Sequence, residues 1–214
     1  AVLLGVLSLP IHAIETLTEP ETIVRFKPAI NESSALASQG KHLWTLNDSG
    51  NGPYIFKFDK NGNELGSYRI ANTANSDWES LASDNKFLYI GDIGNNFNRR
   101  KALTIYRLAW KDIEQSYLPA DRITFMYADH KQGLPISHDF DAEAIAIHNE
   151  EIWLFTKNRG NGNSNLYRFP KVPGRYLPEP TQVLPMNSLV TAADIHPKTG
   201  YLALLSTKKT PEGG

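Results

Sequence analysis

The sequence predicts an all-β protein, a β-propeller built from four-stranded antiparallel blades. Two observations carry this prediction: a segment that recurs four times along the chain, and short strand-like runs that follow each copy. Repeats of about 45 residues with several short strands each are typical of propeller blades. A third observation agrees with it, because no long segment has the 3.6-residue apolar period of an amphipathic helix.

The recurring segment joins a strand of small residues to a more apolar strand. Its first three copies, ESSALA, DWESLA and DAEAIA, start at Glu32, Asp77 and Asp141, and a fourth, TAADI, starts at Thr191. The first three copies are offset by 45 and 64 residues, and Ile195 of the fourth lies 48 residues after Ile147 of the third. An insertion at residues 128–140 explains the longest offset. These copies predict blades at about 31–70, 77–127, 141–184 and 190–214.

The strands of the first three predicted blades can be assigned from the sequence. The first continues through 43–46 and 54–58 to 64–70, and Asn61-Gly62 between two alternating runs favours a tight hairpin. The second continues through 87–90 and 103–108 to 122–127. The third continues through 152–155 and 165–169 to 181–184, across a proline-rich link.

The fourth blade contains only two strands before the sequence ends. A two-stranded blade would leave an open sheet edge, and six blades of this period would need about 290 residues. We therefore expect the chain to be a truncated part, about four blades, of a larger six-bladed ring. The alternative is a complete four-bladed ring, closed by an N-terminal strand at 22–26.

Residues 1–13, AVLLGVLSLPIHA, form a short apolar run with Pro10 near its end and Ala13 after it. The pattern is typical of the apolar region and cleavage end of a signal peptide, and the run is too short to span a membrane. We expect an exported bacterial protein, periplasmic or extracellular, with a signal-peptide remnant at 1–13 and the propeller at 14–214. The alternative is a buried N-terminal strand or helix.

Composition excludes several classes of site and partner. The 214 residues carry a net charge of −1, which predicts no bulk attraction to nucleic acid or anionic membrane. The absence of cysteine rules out disulfides, thiolate nucleophiles and cysteine-based zinc sites. We expect a monomer without a membrane span or a nucleic-acid partner.

Antiparallel geometry predicts where the acidic side chains meet. The first strand of a blade starts on the face to which the second strand returns, so acids from different blades converge at one end of the axial channel. Carboxylate oxygens suit Ca²⁺, which takes about six to eight oxygen ligands. This predicts a calcium site at the axial mouth formed by Glu79, Glu143, Asp77, Asp92 and Asp141. The alternative is ordinary turn chemistry, because aspartate often caps turns.

Other polar residues of the same face are predicted to bind a ligand. The loops Asp48-Ser-Gly-Asn51 and Asp92-Ile-Gly-Asn95 read as equivalent. Basic residues beside an acidic mouth could hold a phosphate or a carboxylate, although a solvated rim is the alternative. The predicted ligand-binding residues are Asp48, Asn51, Asn95, Asn96, Arg99, Arg100, Lys157 and Arg159. Catalytic residues stay unassigned, since no G-x-S-x-G motif and no metal-binding histidine spacing occurs.

Several motifs together resemble a poorly characterised family of secreted bacterial β-propellers. They are Asp77-Trp-Glu79, the run from Tyr89 to Asn96 with Arg99-Arg100, Ile105-Tyr-Arg107, Asp141-Ala-Glu143 and Val190-Thr-Ala-Ala-Asp194. The resemblance covers about 31–206 and implies export and a propeller fold. In architecture the chain is similar to six-bladed calcium-dependent lactonases and phosphotriesterases and to phytase-like propellers, which implies Ca²⁺ at the mouth by analogy of fold alone.

The sequence therefore predicts an exported binding module whose axial mouth holds Ca²⁺ and a small or extended ligand. The alternative is a metal-dependent hydrolase of a phosphoester or lactone, with the cation polarising the substrate oxygen. A third alternative is a protein partner on the same face. The lack of a strong nucleophile or base motif favours binding.

Overall fold

A computed structural model describes residues 30, 32–130 and 139–208 of the chain. Within these residues the protein is all-β, with one short 3-10 turn at Trp110–Asp112. Nothing helical in the described ranges has the length and hydropathy to cross a bilayer. The expected signal-peptide remnant at 1–13 and the alternative closing strand at 22–26 lie outside the described residues.

The first two sheets follow the predicted repeats. Sheet one contains, in chain order, β1 (Ser33–Gln39), β2 (His42–Asn47), β3 (Tyr54–Phe58) and β4 (Glu64–Ala71), all paired antiparallel. Sheet two contains β5 (Trp78–Ser83), β6 (Phe87–Asp92), β7 (Leu103–Ala109) and, after the two-residue β8 (Leu118–Pro119), β9 (Asp121–Phe125). The predicted hairpin is confirmed, with Gly62 in the left-handed region at φ 79°.

The other two sheets complete the described fold. Sheet three contains β10 (Ala142–His148), β11 (Glu151–Thr156), β12 (Ser164–Pro170) and, after the short β13 (Gly174–Tyr176), β14 (Pro180–Leu184). The fourth contains β15 (Ser188–Ile195) and β16 (Leu202–Lys208). The sequence did not predict β8 and β13, which pair in parallel with β4 and β9 and cover the outer edges of the preceding blades.

The first strands of the four sheets lie side by side in chain order, so that β5 contacts both β1 and β10, and β10 contacts β15. Strands β1, β5, β15 and β16 line an axial cavity of about 580 Å³. Four-stranded antiparallel blades arranged in this way confirm the predicted propeller-like architecture. No closed ring forms among the described strands.

A hydrophobic core fills each space between neighbouring sheets. Between the first and second sheets the core includes the fully buried Trp44 and Trp78, and between the second and third it includes Tyr89 and Tyr167. These aromatic residues therefore pack between blades. Truncating such a side chain to alanine typically costs about 3–5 kcal/mol.

Each first strand carries a β-bulge near its start. The ladder between β1 and β2 skips Ser34, and the equivalent ladders skip Glu79 in β5, Glu143 in β10 and Thr191 in β15. A bulge leaves one residue outside the ladder and re-aims its side chain. Two of the predicted metal ligands, Glu79 and Glu143, therefore occupy the same bulged position in adjacent blades.

The register corrects one expected equivalence. Asp92 lies opposite Trp78, and the residue that lies opposite Ser33 in the first sheet is Asn47. Asp48 therefore corresponds to Ile93 rather than to Asp92. The expectation was wrong by one residue because the similar loop sequences were aligned without the ladder that fixes their positions.

Candidate functional site

The start of each first strand and the end of each second strand meet on one face, which we call the axial mouth. A backbone hydrogen bond repeats there in three blades: the N–H groups of Asp48, Ile93 and Lys157 donate to the carbonyls of Glu32, Asp77 and Asp141. The N–H to oxygen distances are 2.9, 3.2 and 2.8 Å respectively. The predicted convergence of strand starts and strand ends on one face is confirmed.

Three carboxylates converge where the first and second blades meet; we call them the acidic triad. Oxygen atoms of Asp48, Asp77 and Glu79 lie within 4.8 Å of one another. Asp48 follows β2, Asp77 precedes β5, and Glu79 is the bulged residue of β5. In the described part of the chain no lysine or arginine forms an ion pair with any of the three.

Burial and repulsion between acids disfavour the charged forms of Glu79 and Asp77. Glu79 is only 8% exposed, and burial, reinforced by the charges of Glu143 and Asp48, raises its pKa to about 9. Burial and the charge of Asp48 also raise the pKa of Asp77. A divalent cation between these oxygens would reverse the repulsion and favour the ionised forms.

Two residues hold the triad in place. Asn75 donates from its side-chain nitrogen to the carbonyls of Asn47 (3.0 Å) and Asp48 (2.9 Å), while its oxygen accepts the Trp78 N–H (3.1 Å). This ties the loop after β2 to the start of β5. Gly94 leaves room for Asp77, since a Cβ placed on Gly94 would lie 2.2 Å from Oδ2 of Asp77.

The mouth is different where the second and third blades meet. Arg159 contacts the fully buried Asp141 through Nε (2.9 Å) and Nη2 (2.8 Å), and Lys157 forms an ion pair with Glu143. Arg100 donates to Oδ1 of Asp92 at 2.8 Å. Burial raises the pKa values of Glu143 and Asp92, and their cationic partners oppose the rise. Each of these acids therefore has its own counter-charge.

The predicted amide residues have mainly structural contacts at this face. The N–H of Asn95 donates to Asp141 (2.8 Å), and its side-chain oxygen accepts the Arg100 N–H (2.9 Å). The side-chain oxygen of Asn96 accepts from Arg159. Asn51 donates to the carboxylate of Glu32 at 2.8 Å. Arg99 lies on the rim, 5.3 Å from the ring centre of Phe97.

The structure thus divides the five acids predicted as metal ligands. Asp77 and Glu79 belong to the acidic triad, whereas Asp92, Asp141 and Glu143 form ion pairs. Asp48, predicted as a ligand-binding residue, completes the triad. Sequence reasoning missed the roles of Asn75 and Gly94; the one available signal was the glycine that directly follows Ile93 in a loop already assigned to the mouth.

Comparisons with known proteins give only distant likenesses. No family model matches the chain, and no curated protein sequence matches it. Among solved structures, the glutaminyl cyclase of Myxococcus xanthus aligns with 82% of this chain and 68% of its own, at 14% identity and a TM-score of 0.47. The computationally designed Ika4 protein aligns with 88% of this chain and 99% of its own, at 13% identity and a TM-score of 0.41. The fold assignment therefore rests on the sheet topology.

Proposed function

We propose that this chain is a β-propeller binding module whose axial mouth holds a hard divalent cation such as Ca²⁺ at the acidic triad. The observation that carries the proposal is the convergence of three carboxylates with which no described lysine or arginine forms an ion pair. Like charges at such separations are costly without a counter-ion. Oxygen ligands of this kind suit Ca²⁺, with water completing the shell of about six to eight oxygens.

The environment of Glu79 supports the same proposal. More than nine-tenths of this residue is buried, and its side chain forms no hydrogen bond with the described residues. Buried carboxylates are normally paired or bound to a metal. Its counterpart Glu143, at the same bulged position, satisfies that rule through Lys157. A bound cation would satisfy it for Glu79.

We also propose that the protein is exported from the cytoplasm. The apolar run at residues 1–13 supports a periplasmic or extracellular location. Extracellular calcium modules commonly bind in the range of about 10⁻⁴–10⁻³ M, which three carboxylates and water could supply. The resemblance to secreted bacterial propellers, carried by the motifs described above, also supports it.

We prefer binding to the hydrolase alternative. His130 is a histidine placed near the mouth, and its Nε2 shares a 2.7 Å hydrogen bond with the amide oxygen of Asn98. A general base for hydrolysis would instead need to reach a nucleophile or a bound water. No contact described at the mouth favours phosphoester or lactone hydrolysis specifically.

Calorimetric titration of the full chain with Ca²⁺ tests the proposal, with thermal melting alongside. Glu79→Gln and Glu143→Gln form a matched pair, because both residues occupy the bulge of a first strand. We expect saturable calcium heat and a raised melting temperature in the wild type, loss of both in Glu79→Gln, and retention of both in Glu143→Gln. Equal loss in the two variants would contradict the assignment to the triad, and absence of calcium heat in the wild type would refute the cation site.

A further inference from the structure

The loop of residues 93–102, between β6 and β7, is fixed at its base. Asn95 bonds to Asp141 and Arg100, and Asn96 accepts a hydrogen bond from Arg159 in the next blade. Asn98 adopts a left-handed backbone conformation (φ 51°) and bonds to His130. We call this segment the rim loop. Its anchors hold the outward side chains in defined positions.

The rim loop presents an aromatic ring and two cations to solvent. Phe97 is 60% exposed, which is unusual for a phenylalanine in an otherwise well-anchored loop. The guanidinium carbon of Arg99 lies 5.3 Å from the Phe97 ring centre. Among the described acids, none forms an ion pair with Arg99 or Lys101. Both basic side chains are exposed.

The rim loop begins at the acidic triad. The N–H of Gly94 donates to the carbonyl of Asp77 at 3.2 Å, and Phe97 follows three residues later. Three residues of extended chain span at most about 11 Å. One ligand a few rings long could therefore contact a cation at the triad and Phe97 together.

We propose that the rim loop binds a carboxylated oligosaccharide, with one sugar ring stacked on Phe97 and its carboxylate held by Arg99. A second carboxylate of the same ligand would complete the shell of the cation at the triad. This second anchor rests on the proposed function, whereas the first does not. The electron-rich face of an aromatic ring attracts the C–H groups of a sugar, and arginine suits a carboxylate because it can donate two parallel hydrogen bonds.

A peptide fits the rim loop less well. Extended peptides need a free strand edge, and helical peptides need an apolar groove. The strands beside the rim loop, β6 and β7, are both paired on two sides, and Phe97 is a single exposed ring rather than part of a groove.

The charge balance favours a carboxylate over a phosphate. Three carboxylates around one divalent cation leave an excess of negative charge. At the cation itself, a phosphate group would place close to two negative charges beside the triad at neutral pH, whereas one carboxylate of the ligand would place a single charge there. The charge at the cation therefore favours a carboxylate over a phosphate, and the exposed ring of Phe97 favours a sugar as the group that carries it.

Isothermal titration of the full chain tests the proposal, with trigalacturonate as the probe and neutral galactotriose as its uncharged counterpart. We expect trigalacturonate to bind in the presence of Ca²⁺ and galactotriose to bind at least tenfold more weakly. Phe97→Ala and Arg99→Gln should each weaken trigalacturonate binding about tenfold. Tyr201→Ala is the matched control. Tyr201 is also exposed (71%), but it precedes β16 of the fourth sheet, on the face opposite the axial mouth. Its substitution should leave the affinity for trigalacturonate unchanged.

Several outcomes would overturn the proposal. Equal binding of the two trisaccharides would show that the carboxylate is not recognised. An unchanged affinity in Phe97→Ala would show that the rim loop is not the binding site. Tighter binding of a glutamate hexapeptide or of glucose 6-phosphate, with the same dependence on Phe97, would replace the ligand class. If calorimetry detects no binding of Ca²⁺ to the wild type, the proposed cation site is refuted. The rim loop is then tested on its own by measuring trigalacturonate binding in EDTA. A loss in Phe97→Ala under that condition supports it, and no binding refutes it.

Discussion

The two junctions of the axial mouth begin from the same local structure and reach different electrostatic states. Between the second and third blades, Glu143 and Asp141 are neutralised by Lys157 and Arg159. Between the first and second blades, Glu79 and Asp77 meet a further acid, Asp48. The bulge, the strand order and the closing backbone hydrogen bond are common to both. The difference therefore lies in a few side chains.

One position after each second strand contributes to this difference. The residues that donate the equivalent backbone hydrogen bond are Asp48, Ile93 and Lys157. The third blade therefore supplies a lysine beside its own bulged glutamate. The second blade has the apolar Ile93 at that position. Glu79 therefore has no lysine from its own blade beside it, and the neighbouring charged residue is Asp48 of the first blade. The same position can thus carry a different charge in successive blades.

The largest expected effect is the loss of a buried acid at the paired junction. Asp141→Ala should lower the free energy of unfolding by about 3–5 kcal/mol, because it removes a fully buried carboxylate that accepts from Arg159 and from the Asn95 N–H. Urea denaturation measures the change. Asp48→Asn, at the other junction, should cost less than about 1 kcal/mol without calcium, since that carboxylate has no described ion-pair partner. Similar losses in both variants would remove the contrast between the junctions.

The second prediction concerns pH. The pKa of Glu79 rises from 4.5 to about 9 on folding, so the folded protein keeps a proton that the unfolded chain releases within this interval. Unfolding then releases a proton and becomes easier as pH rises from about 4.5 to 9. Without calcium, Glu79→Gln should flatten this decline and stabilise the protein by about 2 kcal/mol at pH 8, because glutamine carries no charge to be buried.

Denaturation curves between pH 5 and pH 9, with and without EDTA, check this prediction. Saturating Ca²⁺ should reduce the wild-type decline, because a bound cation favours the ionised carboxylate. A wild-type slope that Glu79→Gln leaves unchanged would assign the decline to other groups, such as Asp92 and Glu143, whose pKa values are also raised.

Gly94 provides a test of geometry at the triad. Gly94→Ala should cost about 1–3 kcal/mol and weaken calcium binding, because the new Cβ would overlap the Asp77 carboxylate. Chemical denaturation and calcium calorimetry measure the two effects. In an Asp77→Ala background the same substitution should cost less, since the overlapping carboxylate is gone. Additive costs in this double-mutant cycle would show that the glycine acts elsewhere.

The sequence predicted the blades well because their signals are local and repeated. Small-residue strands, apolar strands and the Asn61-Gly62 turn occur at similar spacings in successive copies. It did not predict β8 and β13, which contain two and three residues. Strands of that length are too short to show a period of two, and their pairing with a neighbouring blade depends on tertiary structure.

The sequence predicted where the acids of the candidate site lie, but it did not predict which of them form ion pairs. Strand direction alone placed Asp77, Glu79 and Asp141 on one face. Which acid meets a lysine depends on the bulges and on a register that differs by one residue from the alignment of similar loops. A shift of one residue moves a side chain to the other face of a strand. Residue types and spacing do not carry that information.

The smallest expected effect comes from making the paired junction resemble the unpaired one. Lys157→Gln removes the charged partner of Glu143 but keeps a polar side chain of similar length that can still donate a hydrogen bond, so it should lower the free energy of unfolding by about 1 kcal/mol at pH 7. The loss should shrink toward pH 5, because the pKa of Glu143 is already raised by burial and should rise further without the lysine. Arg168→Gln is the control, since it breaks an exposed ion pair with Glu151 and should have a smaller, pH-independent effect over this interval. If Lys157→Gln and Arg168→Gln behave alike at both pH values, Lys157 does not neutralise a buried acid, and the difference between the junctions cannot be assigned to this position.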